Sequence, residues 1–191
     1  MKIALLGGSF NPPHLAHQLA CLYLLEAEGF ERVWMMPCYR HAFLKELVDF
    51  EQRVAMCALC ARLFAGRVVV SEVERAACGE GANLTVDTFA YLAAHHPQHD
   101  FTLVIGSDIL PEINAWKDFD RIREKYPILV LARPDCPIPE GGWQVSPALF
   151  PGISSTAIRA RLDAGESVAG MLPRSVIAYI EKNRLYGVSS P

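Results

Sequence analysis

The 191-residue sequence has no long hydrophobic run; its apolar stretches are strand-length and interrupted, which excludes a membrane span. Only Lys2 precedes the first of them, so a secretory leader does not fit and the expected location is the cytoplasm. Charge of one sign is also missing. With 18 basic against 21 acidic residues and a net charge of −3, there is no polybasic footprint, and nucleic acid is not an expected partner. Two phosphate-binding signatures are absent: Gly-x-Gly-x-x-Gly, which leaves a dinucleotide-dependent oxidoreductase without its fingerprint, and Gly-Lys-Ser/Thr, which excludes a Walker loop. Six cysteines occur, at 21, 38, 57, 60, 78 and 136, but no second Cys or His pair accompanies the Cys57-x-x-Cys60 spacing in its apolar helical context. Zinc and redox roles therefore lack support, and most of the thiols are expected to be small buried hydrophobes. There is neither an internal repeat nor a low-complexity tract.

What is present is an alternation of strand and helix signals. Lys2 to Leu6, Arg32 to Met36, Arg67 to Ser71, Asp100 to Ile105 and Ile128 to Ala132 read as short buried strands. Helical patterns fall between them at 17–28, 51–64, 85–94 and 118–125, and two more close the chain at Thr156 to Ala164 and Arg174 to Asn183. The expected fold is α/β: a Rossmann-like, doubly wound parallel sheet with helices on both faces and a short C-terminal helical segment, in one domain spanning 1–191. Ala76 to Asn83 and the proline- and glycine-rich Pro134 to Gly142 read as exposed loops.

The most informative stretch is Gly7-Gly8-Ser9-Phe10-Asn11-Pro12-Pro13-His14-Leu15-Ala16-His17. Glycines after a buried strand let a phosphate approach the backbone, and the helix expected near His14 presents free N–H groups and a positive dipole end. A spacing of three puts the two imidazoles on one helical face, where they can bond phosphate oxygens and, if protonated, offset their charge. A second anion-site pattern is Ser154-Ser155-Thr156-Ala157-Ile158-Arg159: Ser155 is the expected N-cap, and Arg159 follows one turn later with a guanidinium suited to two phosphate oxygens. From the residues alone, an ordinary capped helix with solvated arginines is the favoured reading, and only the resemblance given below reverses it. Gly106-Ser107-Asp108 ends a buried strand, the edge where open parallel sheets place ligands.

Gly7 to Pro12 with His14 and His17 resembles the Gly-Gly-Ser-Phe-Asn-Pro and His-x-Gly-His motifs of the nucleotidylyltransferase superfamily, with Ala16 in place of the usual glycine. Ile153 to Arg159 is similar to its C-terminal Ile-Ser-Ser-Thr-x-Ile-Arg motif. Thr85-Val86-Asp87-Thr88 resembles an element of bacterial nicotinate mononucleotide adenylyltransferases, as does Leu110 to Trp116; Leu84 stands where that family has tyrosine. The resemblance implies adenylyl transfer from ATP to nicotinate mononucleotide, giving the dinucleotide and pyrophosphate. It implies that His14, His17 and Arg159 are catalytic, and that ATP is held by Gly7, Gly8, Ser9, Phe10, Asn11, Gly106, Asp108, Ser154, Ser155 and Thr156. The mononucleotide falls to Thr85, Trp116, Arg40, His41, Lys45 and Arg133. Thr85 alone is as well explained as a helix cap, Trp116 as a core residue, and Arg40, His41 and Lys45 as a solvated loop. Asp49, Glu51 and Arg53 follow the family's Asp-x-x-x-Arg helix start, with loop anchoring as the implied role. Magnesium is the implied cofactor, carried through phosphates and water without a protein cage. A preference for nicotinamide mononucleotide, a phosphopantetheine adenylyltransferase and a non-catalytic nucleotide sensor are the alternatives, and a homo-oligomer is compatible with the sequence.

Overall fold

The computed structural model describes residues 1–40, 47–79 and 84–188. Six strands, β1 (Lys2–Gly8), β2 (Arg32–Pro37), β3 (Val68–Val70), β4 (Asp100–Gly106), β5 (Ile128–Ala132) and β6 (Gln144–Leu149), form one sheet in the order β3-β2-β1-β4-β5-β6. Every pairing is parallel. The chain winds outward through β2 and β3, then returns to lay β4 on the other flank of β1, so the order reverses between β1 and β4. That reversal is where a doubly wound sheet opens a crevice at its carboxyl edge.

Strand periodicity divides the core in two. Ala4 and Leu6 of β1 face one side, with Leu24 of α1 (Leu15–Glu26) and Cys57 of α2 (Phe50–Ala61). Ile3 and Leu5 face the other, with Val73 of α3 (Val73–Ala77), Phe89 of α4 (Thr85–His95) and Ile122 of α5 (Phe119–Lys125). Because both faces are covered, the inner strands β1, β2, β4 and β5 are mostly apolar and do not alternate regularly with polar residues. A third cluster joins Met56 and Cys60 of α2 to Ile158 of α6 (Ser155–Asp163) and to Val176 and Ile180 of α7 (Arg174–Asn183), which seats the C-terminal helices against the body.

Three elements depart from the sequence reading. The loop expected from Ala76 is preceded by the single turn α3, and a 3₁₀ helix, Ser107–Ala115, follows β4 directly. After the proline-rich connection comes β6, an edge strand whose pairing with β5 shifts register between Val145 and Leu149, the setting that tolerates Pro147. The cysteines also differ from expectation: Cys21, Cys57 and Cys60 are buried, but Cys38, Cys78 and Cys136 are partly exposed. Among the described residues, no helix is long and apolar enough to cross a membrane.

Candidate active site

At the carboxyl edge of β1 and β4 lies a cleft of about 470 Å³. Gly7, Gly8, Ser9 and Phe10 form its floor. Phe10 has left-handed backbone, with φ of 45°, and its ring is 1% exposed. A non-glycine residue holds such a conformation only where its surroundings impose it. Here they do so through the carbonyls of the turn. Arg53 Nη1 donates to Ser9 O at 2.9 Å, Arg159 Nη1 to Asn11 O at 2.7 Å, and Ser155 Oγ to Pro12 O at 2.8 Å. Arg53 is itself 1% exposed and also donates from Nε to Val48 O at 3.0 Å, the loop anchoring implied by its family position. With these three carbonyls engaged by donors from α2 and α6, the turn is suited to offering its N–H groups to a ligand, as an anion requires. Asn11 is not on the cleft wall: it is 2% exposed, and its Oδ1 accepts from Val48 N at 3.3 Å and Tyr186 OH at 2.9 Å. The sequence reading of Asn11 as an ATP contact gives way to that of a buried junction.

His14 is the N-cap of α1 and His17 sits three residues on. Their rings stack at 3.7 Å, and His17 Nδ1 accepts the His14 backbone N–H at 3.1 Å. That bond leaves the His17 proton on Nε2. Both rings line the cleft. Their charge differs from the protonated form considered from sequence. Burial, then the nearby Arg133 guanidinium, pushes His14 down to about 3, and burial with His14 and Arg133 holds His17 well below 6.5. The pair consists of neutral imidazoles, able to donate or accept a hydrogen bond but carrying no charge.

On the far flank, Ser154, Ser155 and Thr156 reach the cleft from the start of α6. The cap is Ser154, not Ser155: its Oγ accepts Ala157 N at 3.1 Å, while Ser155 is spent on Pro12. Arg159 does not line the cleft in this structure. Its guanidinium ties Asn11 O to Thr156 Oγ1, at 2.7 and 3.4 Å, and so braces two phosphate-facing segments from behind. Asp108 and Arg133 do line it, paired at 2.9 Å. Arg133 Nη2 also donates to Ile153 O at 2.7 Å, which places this arginine on the α6 side and not with the residues at the opposite end. The pairing depends on Gly106, where an added Cβ would collide with Asp108 Oδ1. Ser107, fully buried, accepts Arg133 N on its Oγ at 3.0 Å and locks the ends of β4 and β5 together.

At the other end, Thr85 and Trp116 line the cleft. Thr85 is not the cap of α4, since Leu84 holds that position, so its hydroxyl is not committed to capping. Trp116 packs against the second core cluster, edge-on to Phe119 at 6.0 Å, and also lines the cleft. Arg40 lies off the cleft wall beside the Tyr39 ring, and His41 and Lys45 lie outside the described residues. Glu74 and Cys38 also line the cleft; Glu74 was not legible in the sequence because α3 is one turn long and carries no motif, and Cys38, just after β2, is a lone thiol with no motif of its own. Burial pushes the Glu74 carboxyl up to about 7, while the Tyr39 N–H, at 3.2 Å, and Arg53 pull it back.

A doubly wound sheet whose switch point carries a glycine turn, two capped helix starts and a paired arginine defines a nucleotide-binding α/β protein. Residues 5–161 match the cytidylyltransferase-like family model. A probable nicotinate-nucleotide adenylyltransferase of Anaeromyxobacter dehalogenans is 45% identical over 185 residues, covering 97% of this chain and 96% of its own. One from Myxococcus xanthus is 42% identical over 189 residues, covering 98% and 96%. Among solved structures, the Plasmodium falciparum nicotinic acid mononucleotide adenylyltransferase complexed with NaAD matches with a TM-score of 0.85, at 20% identity and 98% coverage of both chains, a likeness of fold. The chain belongs to the cytidylyltransferase-like family and, within it, to the nicotinate-nucleotide adenylyltransferases, which are nucleotidyltransferase enzymes.

Proposed function

We propose that the protein transfers the adenylyl group of ATP to nicotinate mononucleotide. The observation that carries this reading is the single cleft that brings residues 7–10, His14 and His17 from one end of the chain together with 154–156 from the other, with Thr85 and Trp116 at its opposite end. In the reaction, a phosphate oxygen of the mononucleotide attacks the α-phosphorus of ATP in line. The bond from that phosphorus to the β-phosphate bridge breaks, and pyrophosphate leaves with the electron pair. No protein nucleophile is required; the chain supplies position and charge stabilisation. The turn's N–H groups and His17 Nε2–H face the α-phosphate, while the start of α6 and Arg133 take the β- and γ-phosphates. Trp116 offers a flat face to the pyridine ring, and Thr85 a hydroxyl to its carboxylate.

Magnesium belongs to this reading, and the donor set suits an ion carried on phosphates and water. Asp108, the carboxylate nearest that end, is already paired with Arg133, and the described residues hold no group of three or more metal-capable side chains. When bound, the ion neutralises triphosphate charge; Asp108 would reach it through water. The cytoplasm is the expected compartment, which the six free thiols support. The test is pyrophosphate release with ATP and magnesium, comparing nicotinate and nicotinamide mononucleotides at equal concentrations. Faster release with the nicotinate compound is expected. Preference for the amide reassigns the acceptor, and ATP binding without release from either makes the protein a nucleotide sensor.

A further inference from the structure

The family match ends at residue 161, yet the chain beyond it returns to the phosphate turn. After α7, Arg184 and Tyr186 take left-handed backbone, with φ of 51° and 57°. The Tyr186 hydroxyl then donates to Asn11 Oδ1 at 2.9 Å, across 175 positions of sequence. The tyrosine ring packs on the third core cluster, so the hydroxyl is delivered from a fixed body. Burial pushes its phenol up, which keeps it a neutral donor.

The acceptor stands at a crossing of three segments. Asn11 Oδ1 has two lone-pair positions, and Tyr186 OH and Val48 N–H use both. Its backbone carbonyl is held by Arg159. An amide torsion is intrinsically broad, so an Asn side chain gains a definite orientation only from its partners. Removing one donor loosens the side chain that joins the strained Phe10 turn to the segment leading into α2.

We propose that Tyr186 is a positioning residue for ATP: its hydroxyl, acting through the Asn11 side chain, holds the phosphate turn in the arrangement that receives the nucleotide. The proposal rests on the reading of the cleft as an adenylyl-transfer site. Its first readout is ATP affinity, measured calorimetrically with magnesium, so it can be judged separately from turnover.

Tyr186→Phe keeps the ring in its core and deletes the hydroxyl. The ATP Kd is expected to weaken about fivefold, the size of one neutral hydrogen bond, with the KM for nicotinate mononucleotide unchanged. In an Asn11→Ala background, the same change is expected to add nothing, because the hydroxyl acts through the amide that has been removed. A merely structural role lowers the melting temperature and the binding stoichiometry but leaves Kd at its wild-type value, and that result overturns the proposal. So does an additive effect in the Asn11→Ala background. If that background does not fold, the Kd of Tyr186→Phe alone decides. Wild-type protein that binds ATP but releases no pyrophosphate with either mononucleotide would refute the adenylyl-transfer reading while leaving the ATP measurement valid. Wild type that bound no ATP would end both.

Discussion

Replacing Gly8 with alanine separates the needs of the fold from those of the ligand. Gly8 closes β1 opposite Pro37 and does not have the positive φ that would demand glycine. A Cβ there would meet the Phe10 ring at 3.5 Å, an ordinary contact, and nothing closer. The folded chain therefore has room for the methyl, and alanine loses less backbone entropy on folding than glycine, a gain of about 0.5 kcal/mol. For a chain of this length that raises the melting temperature by about 1–2 °C. The nucleotide is affected in the opposite direction. A methyl on the cleft floor moves a phosphate outward by about 1 Å, a displacement that costs about 100-fold in rate when reacting groups must align. The assay is pyrophosphate release at saturating mononucleotide and varied ATP, with a thermal melt on the same sample. A variant that melts higher and has lost about 100-fold in kcat/KM for ATP supports the assignment. Wild-type kcat/KM would mean that no phosphate approaches Gly8, and a clear drop in melting temperature would mean that packing, not ligand, keeps the glycine.

Gly106→Ala is expected to fold and to lose at least tenfold in kcat/KM for ATP, because the new Cβ displaces Asp108 from Arg133; kinetics unchanged from wild type would show that this ion pair does not serve the nucleotide. Arg159→Lys is expected to reduce turnover about tenfold, since an ammonium cannot replace a planar fork shared by Asn11 O and Thr156 Oγ1, and full activity would reduce that brace to surface decoration. Thermal stability should fall with pH below about 6.5, because the unfolded chain then binds protons that buried His14 accepts only near pH 3. That contribution is complete above 6.5 and lost as pH drops toward 3. Glu74, raised to about 7, has the opposite slope over part of the window, so the comparison is made between wild type and His14→Gln. A flatter profile in the variant is expected, and an identical one would refute the buried neutral imidazole.

The parallel sheet could be read from sequence because each central strand is buried on both faces and therefore appears as a mostly apolar run, as in Ile3 to Leu6 and Leu103 to Ile105. β6 could not, because an edge strand with exposed Leu149 and an internal proline has neither that run nor a clean alternation. The phosphate-facing segments were legible by residue type, their internal wiring less so. Ser154 and Ser155 are chemically equivalent in a string of letters; the contact of Ser155 with Pro12, 143 positions away, decides which of them caps. Nothing in Arg159's surroundings in sequence says that its guanidinium turns to Asn11 and not to solvent or ligand. The charge of the histidines depends on burial, which only the packed cleft defines.

The three tethered carbonyls of the phosphate turn also bear on how the protein comes to life during synthesis. Ser9 waits for Arg53, but Asn11 and Pro12 are held by Arg159 and Ser155, and Tyr186 adds the last bond. A nascent chain that has emerged only as far as β5 has the glycines, both histidines and Arg53 but lacks Ser155, Arg159 and Tyr186. On the proposed reading of the cleft as an ATP site, full nucleotide binding is expected only once the C-terminal helices have emerged and packed, so that a bound ATP, linking the two ends, would report completed folding.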